Sequence, residues 1–142
     1  MTTENEPPAV ILVVDDEPAV NCLVTRYLSH LGYIVLDARS AEEALAMVWR
    51  QAPHIDLVLS DVAMPGVGGI ELAGALLARA PGPSVILMTG VLSKEVERLD
   101  IAGQIVRVLR KPLDLDDLQQ VLRVTLEGYS AEDEAEAVNR AG

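Results

Sequence analysis

The stretch ILVVDDEP, residues 11 to 18, runs four apolar residues into three acids, Asp15, Asp16 and Glu17, and stops at Pro18. An unbroken apolar run of this kind reads as a strand buried on both faces, as in the middle of a parallel sheet. Pro18 suits the first turn of a helix, where its missing N–H has no partner to lose. The acids therefore stand where a strand passes into a helix. Three like charges crowded there repel one another unless something cationic arrives.

Working outward, the same alternation continues. VILVVD (10–15), YIVLDA (33–38), IDLVLSD (55–61), SVILMT (84–89) and IVRVL (105–109) are strand candidates. Between the first two, Val20, Leu23, Val24, Tyr27, Leu28 and Leu31 follow the spacing of one helix face, opened by Pro18 and closed by Gly32. Ser40 with Glu43 makes a capping-box pattern ahead of Ala44, Leu45, Val48 and Trp49. Gly69 to Ala80, with Ile70, Ala73, Leu77 and Ala80 on one face, predicts a third helix. Asp114 caps a last one carrying Leu115, Leu118, Val121 and Leu122. Ser93 to Asp100 predicts only a weak helix, with Val96 and Leu99 as its apolar anchors. Five such strand–helix units predict an α/β fold, a doubly wound parallel sheet with helices on both faces.

Composition bounds the rest. Half of the 142 residues are apolar, enough for one substantial core. A formal charge of −11 repels phosphate backbones and anionic bilayers, so neither DNA nor membrane is expected as a partner. The single cysteine, Cys22, excludes an intrachain disulfide, and with two histidines it cannot build a structural zinc site. MTTENEPPAV has no basic segment followed by an apolar one, and no run reaches the ~18 residues of a membrane span. A reducing, cytoplasmic setting is expected. Cys22, Met47, Met88 and Trp49 read as core or half-buried packing residues. His30 and His54 read as helix-end and loop residues.

Ligands of such sheets bind beyond the carboxyl ends of the strands. The polar residues there are Asp15, Asp16 and Glu17, then Asp61, Thr89 and Lys111. Converging carboxylates recruit a hard cation, and Mg²⁺ takes carboxylates, carbonyl oxygens and water. The same cation would neutralise phosphoryl oxygens, with Lys111 as a second positive charge and Thr89 as a donor. Asp61, alone after its strand and followed by VAMPG, is then the natural nucleophile for an acyl phosphate.

VVDDEP, LSDVAMPG, LMTG and RKPL, in this order and spacing, resemble the receiver domain of bacterial two-component response regulators, over residues 9 to 127. The resemblance implies a flavodoxin-like sheet of five strands in the order 2-1-3-4-5. It leaves residues 1–8 as an N-terminal extension and 128–142 as an acidic tail. It makes Asp61 the phosphoacceptor and Asp16 a direct Mg²⁺ ligand, with Asp15 acting through water and the Ala63 carbonyl completing the protein's share with Asp61. Thr89 and Lys111 become contacts of the phosphoryl group, and the Lys111–Pro112 bond is a candidate for the cis form. Gly90 leaves access for the phosphodonor. Val108 stands where the family commonly carries Tyr or Phe, so the usual aromatic switch is not expected. The segment AGQIVRV lacks the family's small-acidic turn, and Ala63 offers no side chain to a hydrolytic water.

With no helix-turn-helix pattern and no basic stretch, the expected function is a stand-alone phosphorylation switch or relay that signals by protein contact. Its expected partners are a sensor histidine kinase or histidine phosphotransfer protein and a downstream protein target, with homodimerisation on phosphorylation left open. The expected chemistry is limited to its own Mg²⁺-dependent phosphorylation and dephosphorylation. One alternative is a receiver excised from a hybrid histidine kinase. Another is an interaction module that works without phosphorylation. A haloacid-dehalogenase-like phosphohydrolase wants a second Asp at the position of Ala63.

Overall fold

The computed structural model describes residues 7–50, 53–79, 81–90 and 98–127. The chain runs β1 (Val10–Val14), α1 (Pro18–His30), β2 (Ile34–Ala38), α2 (Ala41–Arg50), β3 (Leu57–Asp61), α3 (Gly69–Leu77), β4 (Ser84–Thr89), β5 (Arg98–Ile101), β6 (Gln104–Arg110) and α4 (Leu115–Leu126). One sheet holds all the strands in the order β2-β1-β3-β4-β6-β5. The five expected strands are β1, β2, β3, β4 and β6, mutually parallel and in the expected order, as in a flavodoxin-like sheet.

The sheet separates two apolar layers because strand side chains alternate between its faces. Val10, Leu12 and Val14 of β1 face Ala41, Ala44 and Val48 of α2 and Leu72, Ala73 and Leu76 of α3. Ile11 and Val13 face Val24 and Leu28 of α1 and Leu118, Val121 and Leu122 of α4. Both β1 and β3 are buried along their whole length, which is what their continuous apolar runs require. Helix ends follow their sequence signals. Gly32 adopts φ +101° after α1, Ser40 Oγ accepts the Glu43 amide N–H at 3.1 Å, and Asp114 accepts from the amides of Asp116 and Asp117.

The weak helix over Ser93–Asp100 is not found where the chain is described. Residues 98–101 form β5, an antiparallel edge strand paired with β6 from Arg98↔Arg107 to Ile101↔Gln104. Ala102 and Gly103 turn the chain with φ of 53° and 81°, the left-handed pair of a two-residue hairpin. Leu99 and Ile101 pack in the layer that holds α3, so a spacing of two governs residues 98–101. Residues 1–6 of the expected extension, 91–97 with most of that helix, and the tail 128–142 lie outside the described residues.

Helix faces also need correction. Leu23 is 61% exposed, and its place on the buried stripe of α1 is taken by Asn21, in line with Val24 and Leu28. In α3 the buried residues are Gly69, Leu72, Ala73 and Leu76, while Ile70 is exposed. Met88 is fully buried as expected and Met47 partly so, but Cys22 is exposed and Trp49 lies half open with the Arg79 guanidinium 4.6 Å from its ring. His30 ends α1 and His54 stands in the loop before β3, as expected, and both are exposed.

Candidate functional site

The carboxyl ends of β1, β3, β4 and β6 lie side by side, and the residues named from the sequence converge there. Asp15 follows β1 and is wholly buried; Asp61 ends β3 and is 4% exposed. Their carboxylates share a design. One oxygen of each takes a backbone N–H, from Glu17 to Asp15 Oδ1 at 2.9 Å and from Ala63 to Asp61 Oδ1 at 3.3 Å. The other takes the Lys111 ammonium, at 2.7 Å on Asp15 Oδ2 and 3.1 Å on Asp61 Oδ2. Glu17, largely exposed, approaches the same ammonium at 3.8 Å.

Lys111 is placed by its backbone as well. Its amide N–H donates to the Thr89 carbonyl at 2.8 Å, which fixes the β6 end against the β4 end, and the bond to Pro112 is cis. Burial, the largest single influence, pulls the Lys111 pKa down. The hydrogen bonds from Asp15 and Asp61 and their charges together outweigh it, so the ammonium is held above the ordinary lysine value.

Asp16, half-buried, completes the cluster: one carboxylate oxygen from each of Asp15, Asp16 and Asp61 lies within 4.8 Å of the others. These hard oxygen donors, opposed among the described residues by the Lys111 ammonium, leave a formal deficit of two charges, which suits a divalent cation. The set therefore fits a metal chemically. Chain geometry keeps Asp61 in place from below. α3 starts directly over its backbone, where Gly69 donates to the Val62 carbonyl at 2.9 Å and a Cβ would collide with the Asp61 carbonyl. Val62 N–H donates to the Met88 carbonyl at 2.8 Å, and Ser60 Oγ donates to the Asp61 carbonyl at 3.0 Å.

Thr89 closes β4 at the rim, and Gly90 beside it is exposed, with no atom of the described residues within 4 Å of where a side chain would begin. Ala63 is exposed and meets Asp61 through its amide. Val108 is 6% exposed and lies in the layer shared with α2 and α3. The residue that sequence reasoning passed over is Asn21, whose side-chain amide reaches the carbonyls of Asp15 and Ala38. Its signal was present: positions 21, 24 and 28 form a helical stripe in which a polar residue stands among apolar ones.

Comparison with known proteins agrees with this arrangement. The family model described as the response regulator receiver domain matches residues 11–123. The positive alginate biosynthesis regulatory protein of Pseudomonas aeruginosa is 35% identical over 116 residues, 80% of this chain and 45% of its own length. The autoinducer 1 sensor kinase/phosphatase LuxN of Vibrio campbellii is 31% identical over 134 residues, 94% of this chain and 15% of its own. The chain thus spans less than half the length of either relative. Among solved structures, the receiver domain from the hybrid histidine kinase CckA superposes with a TM-score of 0.68 at 35% identity, covering 83% of this chain and 99% of that one.

Proposed function

Because the chain belongs to the response regulator receiver domain family of two-component systems, we propose that it accepts a phosphoryl group on Asp61 and passes the signal on by protein contact. The observation that carries this reading is the position of Asp61: buried at a strand end, 3.1 Å from a lysine ammonium, and within the acidic cluster formed with Asp15 and Asp16. Such a carboxylate is poised as a nucleophile whose product oxygens meet positive charge.

Asp16, Asp61 and the Ala63 carbonyl would hold Mg²⁺, with Asp15 acting through water. The ion, when bound, supplies charge neutralisation to the phosphoryl oxygens. In the transfer, an Asp61 carboxylate oxygen forms the bond to phosphorus as the phosphorus–nitrogen bond of a donor phosphohistidine breaks, and the electron pair stays with the imidazole. Lys111 holds the equatorial charge, and Thr89 donates to a phosphoryl oxygen. Donors are a sensor histidine kinase or a histidine phosphotransfer protein, acting in the cytoplasm. No reaction on a separate substrate is proposed, since Ala63 has no carboxyl to serve as the general acid of a phosphohydrolase. Among the described residues no helix is long and apolar enough to cross a membrane.

A second reading, that this receiver works within a hybrid histidine kinase, is favoured by the likeness to LuxN across 94% of the chain and by the CckA receiver. The test of the phosphoacceptor is chemical. Incubation with Mg²⁺ and acetyl phosphate should add the mass of one phosphate to wild type and none to Asp61→Asn. An Asp61→Asn protein phosphorylated at the wild-type rate would move the chemistry elsewhere.

A further inference from the structure

Asn21 is the only polar residue on the buried stripe of α1 among the described residues, 3% exposed beside Val24 and Leu28. Asparagine is a poor helix former because its amide competes for backbone groups, so its place in the second turn of a helix, buried, asks for a local partner. It has two. Nδ2 donates to the Asp15 carbonyl at 3.3 Å and to the Ala38 carbonyl at 3.4 Å. Ala38 ends β2, and its carbonyl also accepts the Asp15 amide N–H at 3.2 Å.

We propose that Asn21 is a positioning residue for the acidic cluster, clamping the peptide between Asp15 and Asp16 so that both carboxylates keep their aim toward Asp61. This rests on the metal-dependent phosphoacceptor reading above. The Asp15 carbonyl belongs to the peptide plane that joins the two acids. A donor fixed to that oxygen resists rotation of the plane, and any such rotation swings the Asp16 carboxylate directly. The clamp is anchored at both ends, because α1 carries the amide and β2 carries the shared acceptor. Thr25, one turn on, donates its Oγ1–H to Asn21 Oδ1 at 3.2 Å. That bond sets the amide's orientation, leaving the NH₂ group for the two carbonyls. An apolar residue at position 21 would complete the stripe but leave the linking carbonyl without its side-chain donor.

The test measures Mg²⁺ affinity from backbone amide shifts in ¹H–¹⁵N spectra, at a temperature where every variant is folded. Asn21→Ala should weaken binding about tenfold, the scale on which groups orienting metal ligands act. Thr25→Val should shift affinity the same way by a smaller factor, and Thr25→Ser, which keeps the hydroxyl, should bind as wild type does. Thr25→Val also keeps the test decisive if Asn21→Ala does not fold. Folded Asn21→Ala or Thr25→Val protein with wild-type affinity would overturn the role of Asn21 alone. A wild-type protein without a Mg²⁺ response at Asp15 to Glu17 would overturn the metal reading and the clamp with it.

Discussion

At the scale of single residues, Lys111 is the hinge of the site's electrostatics. It stands between Asp15 and Asp61, both buried, and its own side chain is only 14% exposed. Removing one partner of a buried ionic set costs more than the set contributes, since the remaining charges are stranded. Lys111→Met should therefore lose about 3 kcal/mol in urea unfolding without divalent cations, and millimolar Mg²⁺ should restore part of it. The pH dependence has a definite sign. Because the folded pKa of Lys111 is raised, its contribution is fully present below the ordinary value of 10.5 and is lost as pH rises through the folded value. Tyr33, raised chiefly by burial, acts in the same direction, so the comparison must be between wild type and Lys111→Met. Their stability difference should shrink on titration above pH 10.5; a constant difference there would contradict the ion-pair account. The acids, Thr89 and Lys111 were legible in the sequence because each sits at a strand end, where polarity has few structural explanations. Asn21 showed in the sequence only as a polar residue on an apolar stripe; its role was not legible, because it depends on a carbonyl seventeen residues away that only the β1–β2 pairing brings near.

At the scale of elements, legibility followed the clarity of the period. β1, β3 and β4, apolar almost throughout, came out within a residue or two of their limits, and α2 and α4 start at their caps, because run length and caps mark them independently of the fold. α3 did not yield its face: GIELAGALL is apolar nearly all round, so several stripes pass through Ala73 and only the sheet selects Leu72 and Leu76. β5 was missed because its four residues carry just two inward apolar positions, and its turn has Ala102 where Asn or Asp would announce a hairpin. That turn supplies a prediction. Ala102 at φ 53° is strained, and Asn tolerates the left-handed region better, so Ala102→Asn should stabilise the protein by about 0.5 kcal/mol. Chemical denaturation would show it as a higher midpoint at unchanged slope; a lower midpoint would contradict the turn assignment. The α3 start supplies another. A Cβ at Gly69 meets the Asp61 carbonyl and comes within 3.0 Å of the Val62 Cα, both backbone and unable to yield as a flexible side chain does. Gly69→Ala should cost about 2 kcal/mol by overpacking and slow phosphorylation from acetyl phosphate by displacing Asp61. Wild-type stability and rate together would show that α3 does not bear on the acceptor.

At the scale of the whole molecule, two kinds of negative charge have to be separated. The chain carries a formal −11, and self-repulsion of that size is relieved by any salt through screening. The deficit at Asp15, Asp16 and Asp61 is local, and it exists only when the fold brings the ends of β1 and β3 together. A cation held there binds the native state and not the unfolded chain, so it stabilises by mass action: about 1.4 kcal/mol at ten times its dissociation constant. For a domain of this size that is a rise in Tm of about 5 °C. Screening and site binding differ in what they depend on. Matched ionic strength of NaCl reproduces the first and not the second, and Asp16→Ala abolishes the second while changing net charge by a single unit. The expected result is a larger Tm rise with MgCl₂ than with NaCl at equal ionic strength in wild type, and equal rises in Asp16→Ala. Equal rises in wild type would mean that the acids are merely a crowded part of an acidic surface. The burial of Asp15 and Asp61 argues otherwise, since a fold that needed only solubility would leave its carboxylates in water.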